Sequence, residues 1–183
     1  MFDAPAVFSR RVGLPDGTPL RIDPMGPQHR ACIAAGFERL SARSRESRFL
    51  RPMHRLDGAT LDYLSAIDGH RHLAVGAQSL DDDCVGLARC VRLDGEPDVA
   101  EIAVTVLDPW QRRGAARVLV TELARWADAA AIRTFRALFR YDNLSVARLL
   151  RSAGVALVAD GGGLIRADIG LDLILKGAAP ASA

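Results

Sequence analysis

The 183-residue chain carries 24 basic and 22 acidic residues for a formal net charge of +2, with 49% hydrophobic and 25% charged residues. That balance fits one globular domain large enough for a substantial core, and the charge is too small to argue for nucleic acid by itself. No apolar run approaches the roughly 20 residues of a membrane span, and Met1-Phe2-Asp3-Ala4-Pro5 lacks the charged and apolar blocks of a leader, so a cytoplasmic protein without membrane contact is expected.

Residues 1 to 9 read as an unanchored tail. The stretch Arg10 to Leu14, the turn Pro15-Asp16-Gly17 and the stretch Thr18 to Ile22 predict a hairpin. A helix is expected over Gln28 to Leu40, with Cys32, Ile33, Gly36, Phe37 and Leu40 on one buried face. The most basic segment follows, Ser41 to Arg51, where Ser41 or Ser44 could cap a short helix. On pattern alone a solvated helix with Phe49 and Leu50 turned inward outweighs a binding patch, although its arginines could favour an acidic acceptor or protein surface. Asp57-Gly58 opens another short helix, Ala59 to Ile67.

His72 to Ala77 and Cys84 to Leu93 read as strands joined through Asp81-Asp82-Asp83. Three adjacent aspartates lack the spaced ligand set and distal glutamate of a calcium loop, so they mark a hairpin tip. His70 and His72 would share one face of a strand, but two ligands do not make a site, and no metal is expected. A third strand of the meander runs to Leu107, where Asp108-Pro109 stops it. After Gln111 a helix carries Ala116, Leu119, Val120, Leu123, Ala127 and Ala130 on one stripe, and Thr134 to Phe139 follows as a strand. A strand reached through a helix is parallel to its predecessor by default. Asn143 to Ala153 is a helix ended by Gly154. Val155 to Ala159 and Leu164 to Leu175 would form a closing antiparallel hairpin around Gly161-Gly162-Gly163, and the segment from Gly177 would fray.

Cys32, Cys84 and Cys90 are odd in number and show no metal-ligand spacing, so buried free thiols are expected. Lys176 is the only lysine, which excludes a nucleotide P-loop. Nothing like an RNP, KH or zinc motif supports RNA binding. The informative stretch is Gln111-Arg112-Arg113-Gly114-Ala115-Ala116, where a strand hands over to a helix through a basic glycine turn. Such a turn aims several N–H groups, together with the positive end of the helix dipole, at one spot that suits a phosphate. If the strands Glu101 to Leu107 and Thr134 to Phe139 diverge, the backbone groups between them must find partners, and an amide-rich ligand could lie there as a surrogate strand.

Val-Thr-Val-Leu-Asp-Pro-Trp-Gln-Arg-Arg-Gly-Ala-Ala-Arg, with Asn143 and then Gly154 beyond, resembles the acyl-CoA-binding core of the GNAT N-acetyltransferase superfamily, and the segment Leu40 to Pro52 resembles its bacterial protein lysine acetyltransferase subgroup. Gln111, Gly114 and Ala116 meet the family's turn pattern. The resemblance implies one α+β domain over residues 1–183, with a core of about 18–176: an antiparallel N-terminal meander and a parallel central pair splayed around acetyl-CoA as cosubstrate. It implies that Val104, Thr105 and Val106 face the pantetheine arm, and that Arg112, Arg113, Gly114, Ala115, Ala116 and Arg117 seat the pyrophosphate. Asn143 would bond the pantetheine near the thioester. Glu101 would act as general base toward a primary amine, small molecule or protein lysine, attacking directly in a ternary complex. Leu150 stands where many members carry a tyrosine acid, and Tyr141 is a poorly placed substitute. That departure keeps a second expectation open, a catalytically degenerate acyl-CoA-binding regulatory module. A homodimer is compatible with either.

Overall fold

An Asp16-Gly17 turn shapes the first hairpin as its sequence predicts: Gly17 takes a φ of +82° and Asp16 Oδ1 accepts the Thr18 N–H at 2.9 Å. The hairpin joins β1 (Arg10–Gly13) to β2 (Pro19–Pro24). The computed structural model describes residues 9–177; the tail expectations for the segments before Ser9 and after Gly177 lie outside them. Three helices follow, α1 (Arg30–Glu38), α2 (Ala42–Phe49) and α3 (Gly58–Ser65). Ser41 caps α2 by accepting the Ser44 N–H at 3.2 Å, and Asp57 caps α3 by accepting the Thr60 N–H at 2.7 Å. Leu50 ends α2 in the left-handed region, two residues before Pro52.

The meander is β3 (His72–Ser79), β4 (Cys84–Leu93) and β5 (Glu96–Val106). Helix α4 (Ala115–Ala129) then carries the chain to β6 (Thr134–Arg140), and α5 (Leu144–Ser152), β7 (Val158–Gly161) and β8 (Leu164–Gly170) follow. One eight-stranded mixed sheet results, in the order β1-β2-β3-β4-β5-β6-β8-β7. All neighbours are antiparallel except β5 and β6, which the α4 crossover makes parallel.

Each face of the sheet is covered. Leu73, Val75, Ala88, Cys90, Ala100 and Phe135 pack against Leu119, Leu123, Ala124 and Ala127 of α4. On the opposite face Ala74 and Leu87 meet Ile33, Leu64, Ile67 and Phe49, the inner sides of α1 to α3. Gly86 lets β4 and β5 lie close, since a Cβ there would sit 2.5 Å from the Thr105 carbonyl oxygen.

Four sequence expectations are corrected. Residues Leu171–Lys176 form a helix, α6, rather than extending β8. Leu171, Ile174 and Leu175 pack on the α4 core at i, i+3 and i+4, and Asp172 pairs with Lys176 at 3.0 Å. Helix α4 buries Ala115 instead of Ala116, because it starts one residue earlier than its apolar stripe suggests, and it also buries Glu122 and Trp126. His70 is not on a strand face with His72: it lies in the turn before β3, where Asp68 Oδ1 accepts the N–H groups of His70, Arg71 and His72. Of the cysteines only Cys90 is buried; Cys84 is half-buried, and Cys32 is exposed because α1 turns Ile33 and Phe37 inward.

Candidate functional site

The parallel ladder between β5 and β6 runs only from Val99↔Thr134 to Ile102↔Ala137, although β5 continues to Val106 and β6 to Arg140. Beyond Ile102 the two strands part. Backbone direction on β5 follows from its bonds: the Leu107 N–H donates to Val85 O at 2.9 Å on the β4 side. Alternation then turns Thr105 and Ala103 toward β4, and Val106, Val104 and Ile102 toward β6. The Val104 and Val106 backbone groups therefore face the open cleft, while their side chains pack against the α4 core. The Thr105 backbone faces Leu87 instead, and its side chain lines the opposite face of the sheet.

Gln111 closes one end of the cleft, with Nε2 donating to Val106 O at 3.0 Å and to Ser44 Oγ at 3.1 Å. Asp108 ties the same corner to α2: its carboxylate accepts the Ser41 N–H at 3.0 Å, Ser41 Oγ at 2.8 Å and Ser44 Oγ at 2.9 Å. Those bonds, the Ser41 N–H foremost, hold its carboxyl below the usual carboxylate range. Across the gap Arg140, on the β6 end, meets Glu46 of α2 at 3.4 Å. Helix α2 thus spans from one diverging strand to the other, a function for the arginine-rich segment beyond simple solvation.

The turn into α4 leaves backbone donors that can receive an anion. Arg112 has φ +59° and Gly114 φ +92°, and Gly114 leaves the helix with no side-chain cap, so its first N–H groups, at Ala115, Ala116 and Arg117, stay open. Arg112 is exposed. Arg113 is committed elsewhere: it lies 4.7 Å over the Trp110 ring and pairs with Asp16 at 2.9 Å. Hydrogen bonds from the Thr18 N–H and hydroxyl, together with Arg113, draw the Asp16 carboxyl down to about 2. The Arg117 guanidinium donates to Gly177 O. Gly114→Ala should cost about 1–2 kcal/mol from backbone strain alone, and a Cβ there would also lie 2.7 Å from Pro15 Cδ. A thermal midpoint unchanged by this substitution would contradict the assigned turn geometry.

Asn143 caps α5 by accepting the Val146 N–H at 3.3 Å. Because α5 follows β6 as α4 follows β5, both helix N-termini border the cleft at the C-terminal ends of the parallel strands. Leu150 is buried with Phe139, Ala147 and Ala167 beneath α5. Tyr141 is exposed at the end of β6, its N–H donating to Gly163 O at 2.9 Å.

Glu101, itself exposed, sits one residue before the last β5–β6 pair, opposite Val91, on the sheet face that carries α1 to α3. Arg136, its parallel neighbour, is already held by Glu96 at 2.7 Å and Asp168 at 2.8 Å, so it does not neutralise Glu101. Glu101 instead borders a cavity of about 120 Å³ with Arg48, Tyr63 and Arg89. Arg89 is 5% exposed and lies 4.6 Å over the Tyr63 ring. Burial, and the neighbouring Arg89, push the Arg48 guanidinium down to about 10; burial also lowers Arg89. In sequence Arg48 was one of several arginines of the basic segment, and Arg89 drew no notice. The signal for Arg89 was a charge inside the apolar run Val85 to Val91.

His72 stacks against Tyr63 in the same layer, with ring centroids 6.4 Å apart, and its Nδ1 lies 3.0 Å from Ala66 O. Burial, reinforced by Arg89, pushes its pKa down from 6.5 to about 4. The folded protein therefore holds His72 neutral while the unfolded chain takes up a proton below 6.5, so stability falls as pH drops from about 6.5 to about 4. The loss approaches 3 kcal/mol in order of magnitude. Urea midpoints followed across that window should fall in the wild type and flatten in His72→Gln; parallel curves would refute the burial argument.

An open strand pair with an uncapped helix N-terminus beside it can take a ligand that carries both amides and phosphates. Residues 35–155 match the Acetyltransferase (GNAT) family. The chain belongs to that family. Among solved structures, the GNAT domain of S. lividans PAT is 24% identical with a TM-score of 0.80, over 88% of this chain and 96% of that one. YncA, a putative acetyltransferase from Salmonella typhimurium with its cofactor acetyl-CoA, is 18% identical with a TM-score of 0.63, over 90% and 98%. A cAMP-binding acyltransferase from Mycobacterium smegmatis is 18% identical with a TM-score of 0.62 over 95% of this chain, which spans 57% of that longer protein.

Proposed function

We propose that this protein is an acetyl-CoA-dependent N-acetyltransferase that acts on a primary amine by direct attack in a ternary complex. The observation that carries the reading is the cleft where β5 and β6 part, bordered by the open N–H groups of α4. Val104 and Val106 offer backbone groups to the pantetheine amides, and the Arg112 to Arg117 turn offers N–H groups to the pyrophosphate. Asn143, at the far side, bonds the pantetheine near the thioester. Glu101 stands where the strands separate, on the face away from α4, so that an acceptor entering beneath α1 to α3 meets it before the thioester.

The chemistry asks for a base. A lysine-like amine with a pKa near 10.4 is mostly protonated at pH 7, a handicap of roughly 4.6 kcal/mol. Glu101 takes the proton, directly or through a water; the amine nitrogen attacks the thioester carbonyl, whose developing oxyanion is met by backbone N–H groups. The C–S bond then breaks, and the nitrogen gives up its second proton to solvent as the amide forms. With Leu150 buried among apolar side chains, the CoA thiolate takes its proton from water.

The test is release of free CoA from acetyl-CoA with a panel of amines, amino acids and lysine peptides. Acceptor-dependent release is expected. CoA binding without turnover on any acceptor would favour the alternative, a degenerate acyl-CoA-binding regulatory module. Gly114→Ala should also weaken CoA binding, because it displaces the phosphate turn.

A further inference from the structure

The cavity at Glu101 has an unbalanced charge. Of its lining residues Arg48 and Arg89 are cationic and Glu101 is the one carboxylate. Arg89 is 95% buried by its 5% exposure, and its Nη1 is enclosed and meets no hydrogen-bond partner. Arg45 on the same helix as Arg48, by contrast, donates to His54 O at 2.7 Å and to Glu38 O at 3.0 Å, though its Nε is enclosed without a partner too. A buried guanidinium without an anion is costly to the fold, and a second one beside it adds repulsion. Tyr63 supplies a ring face and a neighbouring hydroxyl, neither of them an anion.

We propose that Arg48 and Arg89 bind a carboxylate carried by the acceptor itself, so that the acceptor is an amine with a carboxylate a few bonds from its nitrogen. This rests on the N-acetyltransferase reading and names the substrate class of that same site. Two guanidiniums and one carboxylate complement a zwitterion: the substrate carboxylate lies toward Arg48 and Arg89, and its ammonium group toward Glu101. The bidentate fork of arginine suits a carboxylate better than a lysine would. A volume of about 120 Å³ admits a small amino acid. The same arginines, with Phe49 and Leu64, also line a groove of about 970 Å³ beneath α1. That groove could equally admit a peptide whose acidic side chain adjoins the reacting amine; the recognised chemistry is the same.

Calorimetric titration of the CoA-bound protein with propylamine, propionate and β-alanine separates the two charges. Binding of β-alanine and propionate is expected to be at least about tenfold tighter than that of propylamine, as for a charge-assisted bidentate contact. Arg89→Met should remove that preference, and Arg48→Met, on a half-exposed helix position, gives a second variant should the first fail to fold. In turnover, the ratio of kcat/KM for β-alanine over propylamine should fall toward one in either variant. Lysine peptides with a neighbouring glutamate or alanine then tell a free amino acid from a protein acceptor. Equal binding of propylamine and β-alanine to the wild type, or carboxylate binding untouched in both variants, overturns the proposal. Carboxylate binding without any acyl transfer would instead sink the transferase reading and leave a carboxylate site that is not an acceptor site, whereas transfer with no carboxylate preference would overturn this proposal and leave the transferase reading standing.

Discussion

Glu101→Gln should lower kcat at pH 7 by about 10²–10⁴ while leaving the affinity for acetyl-CoA close to that of the wild type. The substitution keeps the shape of the side chain and removes only its ability to take a proton. Glu101 lies on the face opposite the α4 core, beside the last pair of the β5–β6 ladder, and its parallel neighbour Arg136 is occupied by Glu96 and Asp168. The deficit should shrink as pH rises toward the amine pKa near 10.4, because the acceptor then arrives already neutral. A purely structural role for Glu101 would give a loss independent of pH. An unchanged kcat at pH 7 would remove Glu101 from the mechanism.

Phe135→Ala should cost about 3–5 kcal/mol, a large share of the 5–15 kcal/mol that typically separates folded from unfolded domains. Phe135 is fully buried on β6, between Ala100 of β5 and Ile169 of β8, against the α4 face. Phe135→Leu keeps much of the apolar volume and should cost less. Both variants leave the Val104 to Val106 edge chemically intact, so the folded fraction should still bind CoA. Equilibrium unfolding in urea checks the figure, and a loss under about 1 kcal/mol would mean that the core around β6 rearranges more freely than close packing allows.

The sequence made some of this legible and hid the rest, for physical reasons. The turn Gln111 to Ala116 could be read because its requirements are local: a glycine at positive φ, a helix start without a side-chain cap and a strand before it. Asn143 was placed by equally local signals, as the start of a helix that follows a strand. The parallel pairing of β5 and β6 followed from handedness once a helix was placed between them. By contrast, Asp108 gripping Ser41 and Ser44 joins residues more than sixty positions apart, and no local pattern shows such a contact. Arg48 was lost among eight residues of a basic helix, and nothing in the spacing tells which arginine turns inward. Arg89 was more visible, as the one charge inside the apolar run Val85 to Val91. Leu171–Lys176 misled because Leu171, Leu173, Ile174 and Leu175 satisfy strand alternation and helix spacing alike; packing on α4 decided it.

The cleft beyond Ile102 is where the proposed cosubstrate lies, and amide hydrogen exchange reads it directly. In the free protein the Val104 and Val106 N–H groups face the open cleft rather than β4 or β6 and should exchange faster than the neighbouring Ala103 and Thr105 amides, which turn toward β4. Adding acetyl-CoA should slow exchange at Val104 and Val106, and at the Ala115 to Arg117 amides of the α4 N-terminus, with little change along β1 and β2. Tight acetyl-CoA binding that leaves those amides unprotected would contradict the placement of the cosubstrate between β5 and β6.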